Sequence, residues 1–91
     1  MGKETALAVI LAAKVPEMAR RITLKKHLED AELRVQRAQH RLDRQREAVA
    51  ALERADRDAA KARRYLRILE KALAIHVADR DRFAKQLADR G

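Results

Sequence analysis

The stretch "ALAIHVADRDRF", residues 72 to 83, sets a histidine inside an apolar run and follows it with Asp-Arg-Asp-Arg. His76 and Asp79 stand three apart, which on a helix puts them on one face on neighbouring turns. That pair supplies two metal ligands, whereas a zinc site takes about four, or three and a water. His27 and His40 belong to an earlier segment, where the apolar spacing turns His40 outward. Asp79 and Asp81 are two apart and point different ways, so they do not form an acid–base pair. There is no serine, no cysteine and no glycine-rich phosphate loop, and the hydroxyls are Thr5, Thr23 and Tyr65. Nucleophilic and nucleotide-dependent catalysis lack their usual parts. No catalytic, cofactor or metal residue is assigned, and neither enzyme activity nor a small-molecule substrate is expected. His76 is expected to pack in a helix interface, its ring nitrogens bonded locally or open to solvent.

The elements that carry these residues follow from composition and spacing. Ninety-one residues make one small domain with little room for an enclosed pocket. Charged residues are 40% and aromatic residues 2%, while two glycines and one proline leave few turn makers. This is the composition of long helices and coiled coils. Leu24, Leu28, Ala31, Val35, Ala38, Leu42, Gln45, Val49 and Leu52 follow at alternating steps of four and three, a heptad seam. The count then meets Asp56 and Arg63, and a second seam runs from Ala62 through Leu66, Leu69, Leu73, His76, Arg80, Phe83 and Leu87. The break predicts a turn near residues 55–58, with Asp56 and Asp58 as caps for the second helix. Folding there sets Phe83 beside Ala31 and His76 beside Ala38, large against small, as close packing requires. One uninterrupted helix is the alternative.

The expected fold is all-α: an antiparallel, coiled-coil-like hairpin with helices at about 23–54 and 58–88. Thr23 is expected as the N-cap of the first. Residues 1–22 form a separate apolar and basic segment, broken at Pro16, with a short helix "PEMARRI". Tyr65, Ile68, Ala72 and Ile75 make a second apolar stripe on the second helix. Either residues 6–13 fold onto it, or a second copy does, giving a homodimeric four-helix bundle.

"RITLKKHLEDAELRV", "QRAQHRLDRQREAVAALE" and "ALAIHVADRDRF" resemble a group of small uncharacterised alphaproteobacterial proteins. These share a Thr-Leu opening, a Gln-Arg-Glu run and a His-Val/Ile-Ala-Asp-Arg-Asp-Arg stretch. The resemblance covers residues 23–87 and implies the helical hairpin without adding an activity. Members usually place glycine in the turn, whereas this chain has Arg57 between two aspartates.

The net charge of +8 favours acidic partners, whether protein, nucleic acid or an anionic membrane. Arg34, Arg37, Arg41 and Arg44 form one row, a possible phosphate-contacting face or a solvated flank paired with Asp30 and Glu47. Single-strand stacking is disfavoured because aromatic residues are nearly absent. Lys14, Arg20, Arg21, Lys25 and Lys26 follow the apolar run "ALAVILAA", a possible membrane contact through residues 6–26. Eight apolar residues are far short of the ~20 that span a bilayer, and the start is a poor signal peptide, so a cytoplasmic protein is expected. The leading expectation is a non-enzymatic self-association or protein-interaction module, a small scaffold or adaptor acting as a dimer. The alternatives are a basic module binding nucleic acid without sequence preference, and a peripheral membrane binder.

Overall fold

The computed structural model describes residues 2–90, with side chains from residue 4 onward. They form two helices, α1 (Gly2–Arg54) and α2 (Ala60–Arg90), packed as an antiparallel hairpin. The molecule measures 83 × 16 × 14 Å. At 1.5 Å per residue α1 alone is about 80 Å long and α2 about 46 Å. α2 therefore covers only part of its partner. Its last described residue, Arg90, reaches the level of Met18, Arg21 and Leu24, and α1 runs on beyond it unaccompanied.

Burial follows both heptad seams. Ala31, Ala38, Leu42, Val49 and Leu69 are buried, and the remaining seam residues are half-buried, Gln45 and Arg80 among them. The contact is one residue wide, and no large side chain among the described residues is fully buried. Gln45 is tolerated in the seam because its Nε2 donates to the Ala62 carbonyl across the hairpin, at 3.0 Å. The Phe83 ring lies 5.2 Å from that of His27, one turn from Ala31.

The turn explains how the chain reverses without glycine. The Arg57 N–H donates to the Leu52 carbonyl at 2.9 Å, and the Asp56 N–H donates to that of Glu53 at 3.1 Å. This is a Schellman ending, which needs a left-handed residue at its centre. Asp56 supplies it, at φ 55°. Asp58 opens α2, its Oδ1 accepting the Ala60 N–H at 3.0 Å. The two aspartates thus divide the work: Asp58 caps the second helix as expected, while Asp56 ends the first. Arg63 donates to Glu53 across the turn at 3.0 Å. Both partners are half exposed, so that pair contributes well under 1 kcal/mol.

The amino-terminal half of the reading needs correcting. α1 begins at Gly2, not at Thr23, and passes through Pro16 without a break. Pro16 leaves the Ala12 carbonyl without its intrahelical donor, at a cost of about 3 kcal/mol. A true break would need capping or turn residues, and "LAAKVPEMARR" contains no Gly, Asn, Asp or Ser to make one. Alanine and leucine on both sides favour continuing the helix. Thr23 is therefore mid-helix, its hydroxyl donating back to the Ala19 carbonyl at 2.9 Å. Residues 6–13 do not fold onto the stripe of α2. They sit on the far side of Arg90, roughly 45 Å along the axis from it at helical rise. α2 begins at Ala60 and continues to Arg90, two residues later at each end than expected.

Asp56 yields a test of the turn. Replacing it with glycine removes the Cβ penalty of a left-handed residue, partly offset by glycine's greater freedom when unfolded. Asp56→Gly should gain about 0.5–1 kcal/mol and raise the melting temperature by about 2–6 °C, and Asp56→Val should lower it. Thermal circular dichroism of the three chains decides. A loss of stability in the glycine variant would mean that the chain does not reverse through this residue.

Candidate functional site

The four charged residues that follow His76 pair among themselves. Asp79 accepts from Arg82 at 3.2 Å, and Arg80 donates twice to Asp81, at 3.2 and 3.0 Å. Arg80 thus pairs with its neighbour in sequence and not across the hairpin. His40 is exposed and His27 stacks toward Phe83. No three His, Asp or Glu side chains converge among the described residues. His76 occupies the seam beside Ala38, but its Nδ1 is buried without a hydrogen-bond partner. The expectation of a bonded or solvated ring fails at that atom.

What the fold does assemble is a basic, partly apolar surface. Arg34, Arg37 and Arg41 form one wall of an open groove of about 260 Å³ between the helices. Its floor is Ala38 and Ala72, with Leu69 and His76 beside them. Arg44 continues the arginine row and is exposed. The ion pairs among the described residues are Asp43–Arg46, Glu53–Arg63, Asp81–Arg80 and Asp79–Arg82. None uses the four row arginines, so the pairing with Asp30 and Glu47 suggested by spacing does not form.

Across the groove lies the apolar stripe of α2. Ala72 is half-buried, while Tyr65, Ile68 and Ile75 stand 50%, 60% and 62% exposed. Lys61 stands one heptad before Ile68 on the stripe itself, and on the far side of that stripe Arg64, Arg67 and Lys71 recur at steps of three and four, a second cationic row. At 100° per residue it lies about 90° around α2 from the stripe, turned away from α1. These residues are likewise exposed and outside every ion pair among the described residues. The sequence reading missed this row, although its spacing was visible. The stripe is thus framed by cations on both sides.

A second apolar surface lies on the unaccompanied part of α1. Leu7, Leu11, Val15, Met18 and Ile22, at steps of four, four, three and four, are each 59–65% exposed. Continuing the heptad seam back from Leu24 meets Arg21, Glu17 and Lys14 before Ile10 and Leu7, so beside the end of α2 this face of the helix is charged. The basic residues grouped in the sequence are spread around the helix. Lys14 and Arg21 line one cleft with Arg90, Arg20 lines another on the opposite side, and Lys26 lines a third surface with Ile22. Lys25 is exposed nearby. An in-plane membrane helix needs its cations on one side and its apolar residues on the other, and this distribution does not provide that. No helix among the described residues is long and apolar enough to cross a membrane.

No protein-family model, curated protein or solved structure matches the chain.

His76→Leu tests whether the histidine is structural. Removing a buried polar atom without a partner relieves a penalty of about 1–3 kcal/mol and adds apolar contact. The variant should melt at the same temperature or several degrees higher, with unchanged helicity. Stoichiometric zinc in the parent that disappears in the variant would instead make this stretch a metal site.

Proposed function

We propose that this chain is a non-enzymatic protein-interaction module, a small scaffold that self-associates and presents its hairpin to another protein. One observation carries this reading. Among the described residues, eleven large hydrophobic side chains are 46–65% exposed, while no large side chain is fully buried. A monomer rarely leaves continuous apolar rows in water unless something covers them, and a two-helix contact one residue wide buries little.

The two apolar rows differ in what they suit. A second copy placed on the Tyr65–Ile75 stripe, the homodimer interface expected from sequence, would bring two sets of flanking cations together. Like charges at close range oppose such a contact. The row on the amino-terminal part of α1 also has Lys14, Arg21 and Lys26 near it, but there an antiparallel register can set acidic residues against basic ones. Two copies running antiparallel there set Leu7 opposite Ile22 and Leu11 opposite Met18, with Val15 near the centre. The same register brings Glu4 of one copy level with Lys25 of the other. We therefore assign dimerisation to residues 7–22 and leave the hairpin groove free.

The unpaired cations also favour a second reading, nucleic-acid binding without sequence preference. Phosphate contact would use both cationic rows, but it leaves Ile68 and Ile75 unexplained.

Sedimentation of the parent should show a concentration-dependent dimer. Leu11→Glu combined with Met18→Glu should give a monomer whose hairpin keeps its thermal transition, because neither residue touches α2's seam. A parent that sediments as a monomer at every concentration removes self-association from the proposal.

A further inference from the structure

The interaction reading can be taken further, to the kind of partner the groove accepts. We infer that the groove between α1 and α2 receives an acidic amphipathic helix of another protein, which completes a three-helix bundle.

The shape comes first. The groove has a floor of small residues, Ala38 and Ala72, bounded by arginine on the α1 side, and beyond Ala72 the exposed Ile68 and Ile75 continue the apolar surface of α2. Small floor residues let another helix approach closely and set large side chains between the two it meets. The apolar stretch from Tyr65 to Ile75 is about 15 Å long, which matches three turns of helix. A helix lying there needs apolar anchors at i, i+3 or i+4, and i+7. His76, with its unpartnered Nδ1, lines the same groove and would gain polar neighbours from the incoming chain.

Charge then selects among partners. The anchors of a docked helix would be flanked on one side by Arg34, Arg37 and Arg41, and on the other by Arg64 and Lys71, with Arg67 farther around α2. These side chains have no ion-pair partner among the described residues. Asp or Glu on both shoulders of the helix matches them, and such complementarity governs specificity and association rate more than raw affinity. A second copy of this chain fits poorly, since both of its exposed apolar rows carry lysine and arginine nearby. A bilayer cannot fill a concave groove floored by alanine. Nucleic acid would satisfy the cations but not the isoleucines, and the stripe offers a single aromatic ring, that of Tyr65, for stacking.

The test uses the full chain and labelled synthetic peptides of about 20 residues. One peptide carries leucine at heptad spacing with glutamate on both shoulders. A second replaces each glutamate by lysine, and a third scrambles the first so that the leucines lose their period. Fluorescence anisotropy should show binding of the first peptide alone, weakening as salt is raised. Arg37→Glu with Arg41→Glu should weaken it at least about tenfold and create binding to the lysine peptide. Ile68→Ser with Ile75→Ser should weaken it without changing salt dependence; all four side chains are exposed, so the fold is kept. Equal binding of the scrambled peptide overturns the inference, because charge alone would then suffice. Stronger binding of a DNA oligonucleotide or of phosphatidylserine vesicles, lost in the same variants, overturns it in favour of those ligands. A chain that still dimerises but ignores all three peptides loses this inference and keeps the scaffold reading. A monomer that binds the first peptide does the reverse.

Discussion

Two alanines in the seam of α1 govern much of what this molecule can be. Ala31 and Ala38 are buried where the helices run together, and their small size lets α2 lie close along α1. Interaxial distance is set by the side chains at the contact, and small ones bring helices toward the lower end of the usual 8–10 Å range. Close approach with a contact one residue wide secures the hairpin but encloses little. Most large apolar residues off the seam, among those described, are then left outside, because a two-helix unit has no third element to cover them. Both the exposed stripe of α2 and the uncovered row of α1 follow from that single constraint.

The seams were fully legible because a four-three spacing leaves few other arrangements for helical residues. Each seam position from Leu24 to Leu52 and from Ala62 to Leu87 is buried or half-buried, and the turn falls where the pattern fails. The amino-terminal part of α1 was not legible by the same rule. It has no continuous seam, so reading helices from packing periodicity missed a helix supported by local propensity alone. Thr23 and Pro16 then served as punctuation, although each is also tolerated inside a helix. A cap is favoured only where the chain has reason to stop, and nothing before Thr23 gave it one. The second cationic row was missed for a different cause. Its meaning depends on lying across the stripe from arginines of another helix, and that juxtaposition exists only after folding.

Charge is distributed unevenly for a reason that can be traced to pairing. Asp43, Glu53, Asp79 and Asp81 each hold an arginine, either in their own helix or across the turn. These pairs are exposed and add little stability. Their larger effect is to neutralise some arginines while leaving the two rows around the stripe at full charge. The net excess of +8 is thereby concentrated where apolar side chains are also exposed. In the proposed docking, such a surface would disfavour copies of itself and favour acidic counterparts, so specificity would come from repulsion as much as attraction.

Continuity of α1 ties the two surfaces into one body. If residues 7–22 pair antiparallel as proposed, each groove lies near residue 41 of α1, about 26 residues from the centre of the pairing. At helical rise the two grooves of a dimer are then about 80 Å apart. A chain broken at Pro16 would leave that distance undefined, since the dimerising segment and the hairpin would move independently. In that proposed dimer the unbroken helix would act as a spacer with a groove toward each end. Pro16 sits near the centre of the pairing, where its missing hydrogen bond makes α1 easiest to bend. The spacing is therefore held by the helix on either side, and any change in the angle between the two grooves falls at this residue.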